Sequence, residues 1–295
     1  MNYPTAGWLA SDSSPAGRQP QGFPRGWAAH TVWILLAILV FAPTIYWLWQ
    51  RWTMSVWHNV HGIFIPFVVA YFILKVLRSD QITDADQSAW GFLFLILGLG
   101  MIVLDSAIRT QLLSAFGMIV CLPGLSLLLL GSRRTKALAF AWVLCLFMLP
   151  IPAAFMEGFI LLLRRISAAG AGQVIALFGI PVVRDETMLF MPRANLYVTD
   201  ACSGFSALYA SVTLALVLAY LSPSWPRRVL TLAAAFPIAV ACNILRTALL
   251  ALMMQRWGGG IMDTFLHPAS GMLTFAAAAA LLTVLSRVGM RGPAV

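Results

Sequence analysis

Long apolar runs separated by short polar breaks recur along almost the whole chain, and no other feature restricts the fold so severely. A helix needs roughly 20 apolar residues to cross about 30 Å of hydrocarbon. Runs of about that length lie at Thr31–Trp49, Val60–Leu77, Trp90–Leu104, Leu112–Leu130, Ala137–Met156, Cys202–Leu221, Val229–Leu250 and His267–Ser286. Hydrophobic residues make up 61% of the chain and charged ones 10%, a balance far more apolar than a water-soluble core requires. The expected fold class is all-α: a polytopic membrane helical bundle of about eight transmembrane helices.

Nineteen Lys and Arg against ten Asp and Glu give a net charge of +9. In a soluble protein that excess would suggest nucleic acid, but here the cations sit in short loops, where they act as orientation signals. With the N-terminus in the cytoplasm, inner segments collect Arg18, Arg25, Lys75, Arg78, Arg133, Arg134, Lys136, Arg227, Arg228, Arg287 and Arg291, whereas outer loops hold Arg51, Arg109 and Arg256. This asymmetry predicts an inner-membrane protein with both termini cytoplasmic and no nucleic-acid partner.

Residues 1–30, rich in Pro, Gly and Ser, read as a disordered cytoplasmic tail, and no small-residue cleavage site follows the first run, which reads as an anchor. Five helices are expected over residues 31–156, a three-helix core over 200–286 and a cytoplasmic tail over 287–295. Within 157–199, Arg164-Arg165 and Gly170, Gly172 and Gly179 interrupt the apolar pattern, so 157–182 is expected to be an outer interfacial or re-entrant helix. A mixed polar and apolar stretch, Val183–Thr199, turns near Pro192–Asn195 and reads as a short hairpin.

The four cysteines, Cys121, Cys145, Cys202 and Cys242, form no CxxC pair and no metal-ligand spacing, so no metal and no cofactor is implied. Three lie within apolar runs, and Cys202 opens one. Counting about 1.5 Å per residue from the inner ends of the last three helices puts Cys202 about 28 Å up, Arg246 about 25 Å up and His267 about 28 Å up. Singly these residues have ordinary roles, as a small packer, a snorkelling anchor and an interfacial residue. Together they supply a nucleophile, a base and a cation at one depth, where an ionisable group is costly and marks function. A thiol at a helix start meets the positive end of the helix dipole, His267 is expected to take its proton or form an ion pair with it, and Arg246 to hold an oxyanion or a substrate carbonyl.

Asp200-Ala-Cys-Ser-Gly204, Asn243-Ile-Leu-Arg-Thr247 and His267-Pro-Ala-Ser-Gly271 resemble, in order, the three signature segments of the exosortase/archaeosortase family. The resemblance is strongest over Met148–Ser286; the first four runs match only as generic apolar helices, and the chain carries only the family's core, without the C-terminal extension of longer exosortases. It implies a membrane-embedded cysteine protease or transpeptidase, with Cys202 as nucleophile and Arg246 and His267 completing the site. Its partners would be exported proteins ending in a Pro-Glu-Pro-like motif, a transmembrane helix and a basic tail, and the active site would face the periplasm.

Around that trio, Asp200 is expected to cap the helix it opens or to orient His267 or Arg246, and Asn243 to bond a neighbouring helix or hold Arg246. Arg184 and Arg193 are expected to attract the Glu of a sorting signal or lipid headgroups. Cys242 is expected to pack, and His58 and His61, spaced i, i+3, to be solvated at the interface rather than to bind metal. Two other readings stay open: a non-enzymatic transport or polysaccharide-export module whose polar trio lines a path, and a membrane acyltransferase using His267 as base.

Overall fold

The computed structural model describes residues 27–54, 59–79 and 87–287. His58 and most of both expected tails lie outside them. The chain divides at Pro43–Thr44 into two compact units; among the described residues the first contributes the opening part of helix α1, Trp27–Thr53. The following description concerns the second unit.

Seven stretches among the described residues are long and apolar enough to cross a membrane, and the protein is an all-α polytopic membrane bundle. Four of its helices are α2 (Ile65–Leu77), α3 (Trp90–Ile108), α4 (Leu112–Leu129) and α5 (Gly131–Ala137). Next come α6 (Ala139–Cys145), α7 (Ala153–Leu177), α8 (Phe205–Leu221), α9 (Trp225–Trp257) and α10 (Leu266–Arg287). Large apolar side chains such as Phe67, Ile96 and Val103 are exposed, as a lipid-facing surface requires.

Helices α3 and α4 form a tight hairpin because small residues meet: a Cβ on Gly98 would strike the Gly117 carbonyl and the Cys121 sulfur. Asp105, 2% exposed, closes the hairpin. One carboxylate oxygen accepts from the Thr110 amide (3.1 Å) and hydroxyl (2.5 Å), the other from the Ser114 amide (3.3 Å) and hydroxyl (2.6 Å). The anion thus bonds an otherwise unpaired amide at the start of α4.

The fifth expected run, Ala137–Met156, is not one helix. Helix α6 ends in a 3-10 turn at Leu146–Met148, and the chain is extended at Leu149 and Pro152 before α7 begins. Pro150 and Pro152 are the cause, since neither offers an amide to the preceding turn. The freed Met148 carbonyl accepts from Trp52 Nε1 (2.9 Å) and Asn59 Nδ2 (3.0 Å), and Tyr209 donates its hydroxyl to the Leu149 carbonyl (3.4 Å). Aromatic pairs track this broken segment along α8: Phe140 stacks on Tyr220, Phe147 meets Tyr209, and Phe159 meets Phe205. Residues 139–163 therefore run the length of α8 once, through the break and into α7.

Over 157–182, where an interfacial or re-entrant helix is expected, the helix begins earlier and ends at Leu177. Residues 153–177 form one helix that continues past the level of Phe205, packing alongside α9 in the same direction. Leu163 shares a cluster with Ala239, Asn243 bonds Ser167, and Ala168, Ala171 and Ile175 cluster with Ala248, Ala251 and Met254. The apolar stripe of α7 overrides Arg164-Arg165 because both cations find anionic partners, Asp200 and Glu186.

Beyond α7 the expected hairpin is a three-stranded antiparallel sheet, β1 (Val183–Asp185), β2 (Met188–Phe190) and β3 (Asn195–Tyr197), in that order. Leu189 pairs with Leu196, and both are buried with Val198 against α7 and α9. Cys202 belongs to the same buried cluster.

Candidate active site

After β3 the chain makes a 3-10 turn at Asp200–Cys202 and enters α8 at Phe205. Cys202 therefore precedes α8 rather than opening it. Between them Gly204 adopts φ +80°, a left-handed conformation in which a side chain is strained. Ser203 completes the junction: its hydroxyl donates to the Asp200 carbonyl (2.7 Å) and accepts from the Phe205 amide (3.2 Å).

The thiol of Cys202 lies 3.3 Å from His267 Nε2, hydrogen-bond distance for a sulfur, although the residue is only 2% exposed. His267 is in the first turn of α10, so the positive ends of α8 and α10 converge on the sulfur. Arg246 comes from the middle of α9 and donates from Nε to Ser270 Oγ (2.9 Å) and from one terminal nitrogen to the Ala201 carbonyl (3.2 Å). The other terminal nitrogen lies 3.5 Å from the His267 carbonyl. Ser270 in turn donates to that carbonyl (2.6 Å), so α9 and the start of α10 are locked together beside the thiol. A guanidinium has five N–H donors; among the described residues three are engaged, which leaves two.

Asn243 holds the cysteine rather than the arginine. Its Nδ2 donates to the Cys202 carbonyl (3.0 Å) and to Ser167 Oγ (2.8 Å), tying α9, α7 and the turn together. Its carboxamide packs against Gly204, where a Cβ would collide with it.

Asp200 does not cap α8 and does not reach His267 or Arg246 by a hydrogen bond. Its carboxylate pairs with Arg164 (3.1 Å), because the turn directs it away from α8 and towards α7. Arg164 also donates to the Val198 carbonyl (2.6 Å) and to Thr187 Oγ1 (3.3 Å), and its guanidinium lies 4.9 Å from the Tyr197 ring centre. It thus anchors the strand that delivers Cys202. In the sequence Arg164 reads as an interruption of the apolar pattern, yet a cation inside an apolar helix is itself a signal of function. Ser167 and Ser270 carried no such signal.

Arg184 lies on β1 and Arg193 in the turn between β2 and β3, and both are exposed. Arg184 donates to the Glu186 carbonyl (3.2 Å), and the Arg193 amide donates to Gln255 Oε1 (3.1 Å). Cys242 is half-buried on α9, and His61 packs its ring edge-on against Tyr209 (4.4 Å).

A thiol before α8, an imidazole in the first turn of α10 and a guanidinium from within α9 define a multi-pass membrane protein with a thiol–imidazole site. The family model of the transmembrane exosortases matches residues 49–284, a span holding all of these groups, and the chain belongs to that family. No match is found among curated proteins or among solved structures.

Proposed function

We propose that this chain is a cysteine peptidase or transpeptidase of the inner membrane that cleaves the C-terminal sorting signals of exported proteins. Those signals combine a Pro-Glu-Pro-like motif, an apolar helix and a basic tail. The observation that carries this reading is the 3.3 Å approach of Cys202 Sγ to His267 Nε2 beside Arg246. The excess of Lys and Arg at the opposite ends of the helices supports a site facing the periplasm, with both termini in the cytoplasm.

The substrate's apolar helix lies against the bundle, bringing the peptide bond just outside its membrane segment to Cys202. His267 takes the thiol proton as Sγ bonds to the carbonyl carbon, and the two unengaged N–H groups of Arg246 hold the resulting oxyanion. Collapse breaks the C–N bond, and His267 returns the proton to the leaving amine. The acyl group remains as a thioester on Cys202. Water or an acceptor amine then attacks it, losing its proton through His267 to the departing thiolate.

The test is coexpression with a matched, tagged substrate followed on gels. Cys202→Ala and His267→Ala abolish shortening of the substrate, and Arg246→Ala lowers it at least a hundredfold, the size of effect seen for removing an oxyanion donor. Full processing by Cys202→Ala would end the proposal.

A further inference from the structure

The strand that leads to Cys202 has one edge without a partner. Antiparallel strands turn the backbone groups of alternate residues towards each other, leaving the residues between them facing the other side. Between β2 and β3 the Val198 amide donates to the Thr187 carbonyl (2.9 Å) and the Met191 amide to the Ala194 carbonyl (3.2 Å), with Leu189 opposite Leu196. Ala194, Leu196 and Val198 therefore direct their backbone inward, and Asn195 and Tyr197 direct theirs outward. Both residues are exposed, and among the described residues no hydrogen bond from outside the sheet reaches their backbones. Thr199 continues the extended path at φ −76° and ψ 174°, and the Cys202 turn follows.

We propose that this edge binds the substrate: the extended segment upstream of the scissile bond adds to β3 as a parallel fourth strand, one residue bridging the Asn195 carbonyl and the Tyr197 amide. The inference rests on the peptidase reading above. Direction follows from topology, since β3 runs towards Cys202 and then into α8, as a substrate strand runs towards its own membrane helix.

In a parallel pair a single residue placed between Asn195 and Tyr197 gives its N–H to the first and accepts from the second. Its two neighbours turn their backbones away and need no N–H, so proline fits at both. A Pro-Glu-Pro segment meets that requirement through its Glu, and its prolines stop any further strand from adding. The charge also suits an acidic residue: Arg193 is two residues before Asn195, and the Arg164 guanidinium is 4.9 Å from the Tyr197 ring centre. Backbone pairing of this kind is a general mode of peptide recognition at exposed sheet edges.

The experiment uses the full chain in detergent micelles and a synthetic peptide of Pro-Glu-Pro, an apolar helix and an Arg cluster. A second peptide carries the hydroxy-acid analogue of that Glu, so an ester replaces its amide and only the bridging N–H is lost. A third carries an ester four residues further upstream. Binding of labelled peptides is read by fluorescence polarisation on Cys202→Ala protein, and cleavage is read on the unaltered protein. The expected result is binding and kcat/KM both about tenfold lower for the Glu ester and unchanged for the distal ester. Equal behaviour of the parent and the Glu ester overturns edge pairing, as does a parent peptide that fails to bind. The peptidase reading is judged separately, by whether the parent is cut by the unaltered protein and left intact by Cys202→Ala.

Discussion

The side-chain amide of Asn243 holds the backbone carbonyl of Cys202 at 3.0 Å, so the proposed nucleophile is positioned from α9, the helix that also supplies Arg246. Asn243 is 2% exposed, and its Nδ2 has no water to replace these partners. Substitution by Ala removes both bonds, and Asp keeps the shape but not the donor. A buried carbonyl left without its partner costs about 1 to 3 kcal/mol, which corresponds to about five- to 150-fold in rate. Both variants should lower kcat by that factor with little change in KM, as steady-state cleavage in micelles will check. A change confined to KM would mean that Asn243 contacts substrate instead.

Gly204→Ala should fail for two separable reasons. The φ of +80° costs an L-residue about 1 to 2 kcal/mol, and the new Cβ strikes Asn243. Thermal unfolding in detergent should show a clear loss of stability. Adding Asn243→Ala should restore part of it by making room, while activity stays low.

Arg164 and Asp200 should not be equivalent, although they form one ion pair. The Asp200 side chain is 63% exposed, so solvent screens the pair and its own contribution is small. Arg164 additionally holds the Val198 carbonyl at 2.6 Å. Cleavage assays are expected to show less than a threefold loss for Asp200→Asn and at least tenfold for Arg164→Ala. Similar losses would locate the effect in the ion pair.

Asp105 belongs to the α3–α4 hairpin, which supplies none of the three site side chains, so Asp105→Ala should affect stability alone. It leaves the Thr110 and Ser114 hydroxyls without their acceptor and uncaps α4, a loss of about 1.5 to 3 kcal/mol. Unfolding in detergent should occur at lower temperature, with cleavage per folded molecule unchanged at low temperature.

Arg193→Ala should lower processing of a Glu-containing sorting signal more than that of its Gln analogue, because only the former has a charge to lose a partner. Side-by-side rates for the two substrates decide the point. Equal losses would count against direct pairing.

Much of this architecture was legible in the sequence, for a physical reason. Ionisable residues in apolar helices are expensive, so Cys202, Arg246 and His267 stood out, and helix rise alone placed them at similar depth. The break at Leu149–Pro152 was marked by two prolines, but hydropathy does not register a missing amide, so the fifth run read as one helix. Nor does hydropathy show which partner a charge will find: Asp200 looked like a cap, yet its pairing depends on Arg164, 36 positions earlier in the chain. The conformation of Gly204 and the hydroxyls of Ser167 and Ser270 acquire meaning only once three helices are side by side.

The near-complete burial of Cys202 also bears on the sulfur's lifetime. Oxidation of a thiol depends on thiolate character and on access, and a residue only 2% exposed offers a bulky disulfide little approach. Such a sulfur would be shielded from the bulky disulfides, glutathione's among them, that silence open cysteines. Small neutral alkylators should accordingly react with it faster than bulky charged ones.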